Sequence, residues 1–188
     1  MQQIYLIGGP NGAGKTTSAM TLLPEFLRIN DFVNADTIAF GLSAFNSATV
    51  SFSAGKIMLT RILELIEQKK SFAFETTFAS KIFAPLLLKS KKHGYKIRLI
   101  YIWLYSVELA KKRVKLRVES GGHDVPLKII ERRFTNGRIN FVKLYMPIAD
   151  EWSIFDNSGK EIQPVAHKVI GKGTEITDQE IFKKIMSL

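Results

Sequence analysis

The densest chemistry in the chain lies in eight consecutive residues, Gly9-Pro10-Asn11-Gly12-Ala13-Gly14-Lys15-Thr16. They match Gly-x-x-x-x-Gly-Lys-[Ser/Thr] in full. Glycines let successive backbone N–H groups curl around a phosphate, and the helix that follows points its positive end there. Lys15 then reaches the β and γ oxygens, the Thr16 hydroxyl ligates Mg²⁺, and Thr17 completes the cradle. The competing reading is a glycine-rich turn with an incidental lysine. By average composition the string arises by chance in on the order of one in a hundred chains of this length. Here it sits between an apolar run and a helical pattern, so ATP and Mg²⁺ are the expected cofactors. A P-loop names a nucleotide, not a reaction.

Two acids fall where an open parallel sheet binds its ligands, beyond the carboxyl ends of its strands. Asp36 closes Val33-Asn34-Ala35-Asp36, and Glu75 stands in Phe74-Glu75-Thr76-Thr77. Phosphoryl transfer to a hydroxyl needs a base beside the acceptor O–H. Asp36 is the candidate base. Glu75 is the candidate to orient the acceptor or a metal-bound water, with Thr77 nearby. The plainer alternatives are a helix N-cap for Asp36 and a buried, ion-paired structural acid for Glu75. Transfer also needs positive charge on the moving phosphoryl group. Arg113 and Arg117 share one helical face, and Arg132 and Arg133 follow Gly121-Gly122 and Pro126. Arginine suits bidentate phosphate contacts. Solvated arginines on amphipathic helices are the alternative.

The elements that must hold these groups are readable from the hydrophobic pattern. Strands are expected at 3–8, 31–34, 71–75, 96–105 and 152–156, with a further strand at 164–170. Helices are expected at 15 to about 26, 48–68, 79–92, 107–119, 126 to about 145, and from about 177, where Glu180 suggests a capping box. Residues 37–47 read as a loop or short helix. Strands alternating with helices imply a parallel sheet covered on both faces. The whole of 1–188 reads as one domain, with a lid region at about 113–133.

Cysteine is absent, which excludes a disulfide framework or a thiolate metal site and points to a reducing compartment. No basic leader and no apolar stretch of bilayer length is present, so a cytoplasmic location is expected. The net charge of +10 is uneven: residues 76–145 hold sixteen Lys/Arg against four Asp/Glu. Such a field attracts anions, and the bland reading is a solvated basic surface. Phe40, Phe45 and Phe52 read as core, with a substrate wall as the alternative. His93, His123 and His167 show no metal-ligand spacing, though His123 is a candidate phosphate contact. By fold analogy, Asn157 falls where adenine rests.

Taken in order, the P-loop, Val33-Asn34-Ala35-Asp36, Phe74-Glu75-Thr76-Thr77 and Gly121-Gly122-His123-Asp124-Val125-Pro126 with Arg132-Arg133-Phe134 resemble the zeta-toxin-like P-loop kinases. The resemblance covers roughly residues 1–160. It implies an α/β, three-layer, adenylate or shikimate kinase-like fold whose five-stranded parallel sheet has order 2-3-1-4-5. It implies a phosphotransferase acting on an alcohol, with UDP-N-acetylglucosamine as the acceptor of the best-studied members. The family's catalytic aspartate falls on Asp36, its Glu-x-Thr on Glu75 and Thr77, and its P-loop pair on Lys15 and Thr16. Arg117 and Arg133 are the expected lid arginines, with Arg113 and Arg132 as alternates. The partners implied are a nucleoside triphosphate, a small hydroxylated acceptor and an antitoxin protein, with no membrane or nucleic acid. The competing functions are an ABC-like or DNA-associated ATPase, which Ser120-Gly121-Gly122 faintly echoes, a non-catalytic nucleotide binder, and a polynucleotide 5′-kinase.

Overall fold

The computed structural model describes all residues except Phe45 and His123, and all side chains except those two and Phe26, Ser47 and Ala48. The readings of Phe45 and His123 given above therefore lie outside the described residues.

The chain opens with β1 (Gln3–Gly8), whose residues beyond Tyr5's neighbour Ile4 are all buried. The P-loop follows, then α1 (Lys15–Thr21). The helix runs on as a π turn, Leu22–Leu27. Pro24 sits inside that turn, and its missing N–H is the local reason the regular ladder is not continued. Next come β2 (Phe32–Val33), α2 (Ala35–Leu42), a 3₁₀ turn, α3 (Ser51–Glu67) and β3 (Phe72–Thr76). After α4 (Phe83–Lys92) and β4 (Lys96–Trp103) come α5 (Val107–Glu119) and α6 (Leu127–Asn140). A π turn and the short α7 (Met146–Ile148) lead to β5 (Glu151–Asp156), β6 (Gln163–Lys168), β7 (Thr174–Ile176) and α8 (Gln179–Met186).

The sheet order is β2-β3-β1-β4-β5-β6-β7. The first five strands are parallel and follow the expected 2-3-1-4-5 order. The expected five-stranded parallel sheet becomes seven-stranded, because β6, which answers to the further strand expected at 164–170, and β7 add antiparallel to the β5 edge. Their connections are too short for a crossover helix, so antiparallel return is the geometry open to them. β7 escapes sequence reading because it has three residues, Thr-Glu-Ile, with no alternation to detect.

Residues 4 and 6 of β1 point to one face and 5 and 7 to the other. One core therefore joins Leu6, Phe74, Tyr101, Phe141 and Trp152, and the other joins Ile7, Ile100, Ile102, Ala110 and Val114. Among the described residues, α3, α4 and α5 end in the same way, with Lys69, Gly94 and Gly121 at positive φ. In α5, Gly121 has φ 83° and donates to Val118 O, and Gly122 donates to Arg117 O at 2.8 Å. This is a Schellman termination, and it accounts for the Gly121-Gly122 pair without any ABC signature. The expected Thr177–Glu180 box at α8 is replaced by Asp178, whose carboxylate accepts the Ile181 N–H at 2.9 Å. Among the described residues, no helix is long and apolar enough to cross a membrane.

Candidate active site

The P-loop stands preformed at the carboxyl edge of the sheet. Gly14 has φ 79°, and a Cβ there would sit 2.8 Å from the Asn157 amide nitrogen. That amide donates to Ala13 O at 2.9 Å. Arg113 donates to the carbonyls of Asn157 at 2.7 Å and Gly159 at 3.4 Å. The β5–β6 turn is thereby tied to both the phosphate loop and α5, where the sequence put the adenine.

Lys15 is buried, and its ammonium donates to Pro10 O at 2.9 Å and lies 3.5 Å from a Glu75 oxygen. A lysine has three N–H donors, so one remains for a phosphate. Glu75, the fourth residue of β3, also accepts the Thr16 hydroxyl at 2.6 Å and the Asn34 amide at 2.8 Å. The hydroxyl and the carboxylate are a hard-oxygen pair of the kind Mg²⁺ uses when substrate phosphates and waters complete its shell. Among the described residues, no group of three or more His, Cys, Asp or Glu is arranged to hold a metal alone. The donor set thus fits Mg²⁺ that arrives with a nucleotide.

Asp36 follows β2, as the sequence places it. It lies in the first turn of α2, whose cap is Asn34: its side-chain oxygen accepts the N–H groups of Asp36 at 2.8 Å and Thr37 at 3.3 Å. Asp36, Glu75, Thr77, Lys15 and Arg133 line one cleft of about 400 Å³, together with Asn11, Ser80 and an apolar wall from α3 and α4. Asn11 is buried and its Oδ1 has no hydrogen-bond partner among the described residues. Buried polar atoms normally find partners, so this oxygen or its amide is left to meet a ligand.

Arg133 comes from α6. Burial pushes its guanidinium below the usual range, Asp36 pulls it back up, and Arg132 pushes it down. It stays charged at neutral pH, because arginine starts so high. The structure thus brings Arg133 to the acids. Arg117, Arg113 and Arg132 do not line this cleft. Arg113 is engaged with the β5–β6 turn, Arg117 packs beside Gly122, and Arg132 is exposed on α6. Phe40 and Phe52 are not core: they are 57% and 75% exposed, and Phe52 forms part of the cleft wall beneath Lys56, whose Nζ is 4.7 Å from its ring centre. Asn34 escaped the sequence reading, although an Asn directly before a helix is an N-cap signal.

The position of α6 is fixed by close contacts. Phe78 adopts φ 57° after β3, a conformation costing ~1–2 kcal/mol for a non-glycine residue. Its fully buried ring packs against Tyr101, Phe141 and Tyr145. The carbonyls this turn exposes are taken up from α6 and its extension. Asn140 donates to Phe78 O at 2.9 Å and Ala79 O at 3.1 Å, and the Tyr145 hydroxyl donates to Ser80 O.

A family model described as Zeta toxin matches residues 2–163. An uncharacterized protein of Haemophilus influenzae is 28% identical over 128 residues, covering 67% of this chain and 88% of that protein. A chain in the crystal structure of AvrRxo1-ORF1:-ORF2 with ATP superimposes with a TM-score of 0.82 at 19% identity. It covers 100% of this chain, which spans 64% of that one. A chain from the PezAT chromosomal toxin-antitoxin system of Streptococcus pneumoniae gives a TM-score of 0.65 at 18% identity, covering 98% of this chain and 77% of that one. At these identities the structural likenesses speak to the fold.

Proposed function

The chain belongs to the zeta toxin family of P-loop kinases, and from that premise we propose that it moves the γ-phosphate of ATP to a hydroxyl of a small acceptor. The observation that carries this is the cleft itself: Asp36 and Arg133 share it with Lys15 and Glu75 at the mouth of the phosphate loop. The acceptor O–H loses its proton to Asp36 as its oxygen bonds to the γ-phosphorus. The bond from that phosphorus to the β–γ bridging oxygen breaks, and ADP leaves with the electron pair. Lys15 and Arg133 offset charge on the transferring group. Thr16 and Glu75 would hold Mg²⁺, which would neutralise phosphate charge there. The expected lid arginines Arg117, Arg113 and Arg132 stand outside the cleft and would meet the phosphates only on closure of the lid, while Thr77, which lines the cleft, would contact the acceptor.

Family membership makes a UDP-sugar such as UDP-N-acetylglucosamine the first acceptor to test. It also supports a cytoplasmic role as the toxin of a toxin-antitoxin pair, with an antitoxin as protein partner. The test uses γ-labelled ATP with UDP-sugars, nucleotides and oligonucleotides, and mass analysis of the labelled product. Asp36→Asn should bind ATP as the wild type does and lose transfer by ~10²–10⁴-fold. Wild-type transfer by this variant removes Asp36 as the base. Turnover that depends on oligonucleotides instead of a small acceptor removes the small-molecule reading.

A further inference from the structure

Asn34 lies at the β2–α2 junction, 6% exposed, with both ends of its amide engaged in different elements. Its oxygen caps α2 through the Asp36 and Thr37 N–H groups. Its nitrogen donates to Glu75 at 2.8 Å and lies 3.4 Å from the Thr16 hydroxyl. The orientation is dictated by the partners. Flipping the amide would set its oxygen against a carboxylate and its NH₂ against two N–H donors.

Capping alone does not call for asparagine. Ser, Thr and Asp cap as well or nearly so. What Asn adds is a donor arm pointing away from the helix, in a site where Glu75 already bears a negative charge. An Asp here would cap α2 but oppose Glu75 with a second carboxylate. A Ser would cap α2 and lack the arm. The residue type thus matches a double task.

We propose that Asn34 is a positioning residue, holding the Glu75 carboxylate and the first turn of α2 at one fixed spacing. It acts through its neighbours: one end sets where Glu75 meets Thr16, and the other sets where Asp36 stands across the cleft. The inference rests on the phosphotransfer reading of that cleft. It assigns a role to a residue that lines the cleft but is buried, with both ends of its amide held by protein groups.

The experiment compares Asn34→Ser, Glu75→Ala and the double variant in the full chain. The readouts are melting temperature, affinity for a non-hydrolysable ATP analogue with and without Mg²⁺, and kcat of transfer. Asn34→Ser, with its cap kept, should melt with the wild type and bind the metal-free analogue equally well. Its kcat should fall about 100-fold, the scale of a 1 Å misplacement. In the Glu75→Ala background the same change should cost no more than about threefold, since both act through one carboxylate. A wild-type kcat for Asn34→Ser, or independent multiplying losses, overturns the proposal. If the wild type transfers label to no acceptor, the phosphotransfer reading fails by itself. Asn34 is then judged on binding. The Mg²⁺-dependent gain in analogue affinity should shrink about tenfold in Asn34→Ser, and its full retention overturns the inference.

Discussion

Gly137→Ala is the substitution whose outcome the geometry determines most sharply. Gly137 is buried on α6, and a Cβ there would lie 2.3 Å from the Thr77 carbonyl oxygen, where Cβ contacts under 3.0 Å essentially never occur. The obstacle is backbone, so a rotamer change cannot relieve it. Reaching a tolerable 3.0–3.4 Å means withdrawing α6 by about 0.7–1.1 Å. Asn140, one turn on, now sits 2.9 and 3.1 Å from the Phe78 and Ala79 carbonyls, and the same displacement stretches both bonds to about 3.6 Å or more. Two weakened buried hydrogen bonds cost about 1 kcal/mol each, and overpacking adds about 1–3 kcal/mol. Alanine's helix propensity returns about 1 kcal/mol. The net loss is about 2–4 kcal/mol, which for a chain of this length lowers Tm by roughly 4–16 °C.

Arg133 is one turn before Gly137 and moves with it, so kcat should fall about 100-fold. The P-loop is built from other elements, so affinity for an ATP analogue should hold. Calorimetry, analogue binding and a labelled-transfer assay read the three quantities. Gly41→Ala is the internal control: a Cβ there meets nothing within 4 Å, so it should gain up to about 1 kcal/mol. If Gly137→Ala behaves like Gly41→Ala, with a raised Tm and unchanged kcat, the coupling of α6 to the loop after β3 is refuted.

Two further outcomes are expected. Arg133→Lys keeps a positive charge but loses the planar fork, so kcat should drop roughly 10–100-fold with KM for ATP little changed; a wild-type kcat would mean that Arg133 contributes only charge. Phe52→Ala removes a side chain that is 75% exposed, so its stability cost should stay within about 0.5 kcal/mol. KM for the acceptor should rise, because the ring forms part of the cleft wall, and an unchanged KM would remove it from the acceptor site.

How much of this was legible in the sequence depends on whether the signal was local. The strand 3–8 and the helix 107–119 were readable to the residue, because an apolar run ends in glycine and a basic helical run is broken by Gly121-Gly122. The helix at Ala35–Leu42 was ambiguous because Gly, Ser and Asn dilute residues 37–47. Asp36 and Glu75 were found as acids near strand ends, but their shared anchor, Asn34, appears only when β2 and β3 pair in parallel. The four arginines could not be ranked from spacing. Arg113 and Arg117 differ by one helical turn, and which arginine reaches the cleft follows from how α6 lands on the Phe78 turn, a contact more than fifty residues distant in sequence.

The positive charge of residues 76–145 looks different once its partners are known. Lys91 and Lys96 meet Asp150, Arg98 meets Glu151, and Lys111 meets Glu131. Arg113 and Arg138 are engaged with backbone carbonyls. Surface and half-buried pairs of this kind add little each, so their main effect is to tether the start of β5 to α4 and β4, and α5 to α6. Arg133 stands apart from this pattern. Burying a guanidinium is costly unless it is paired, and here burial already pulls its pKa down while Asp36 restores only part. A charge kept in that condition is stabilised most by a further anion entering the cleft. Lys15 lines the same cleft, so an anion held there would meet both positive charges.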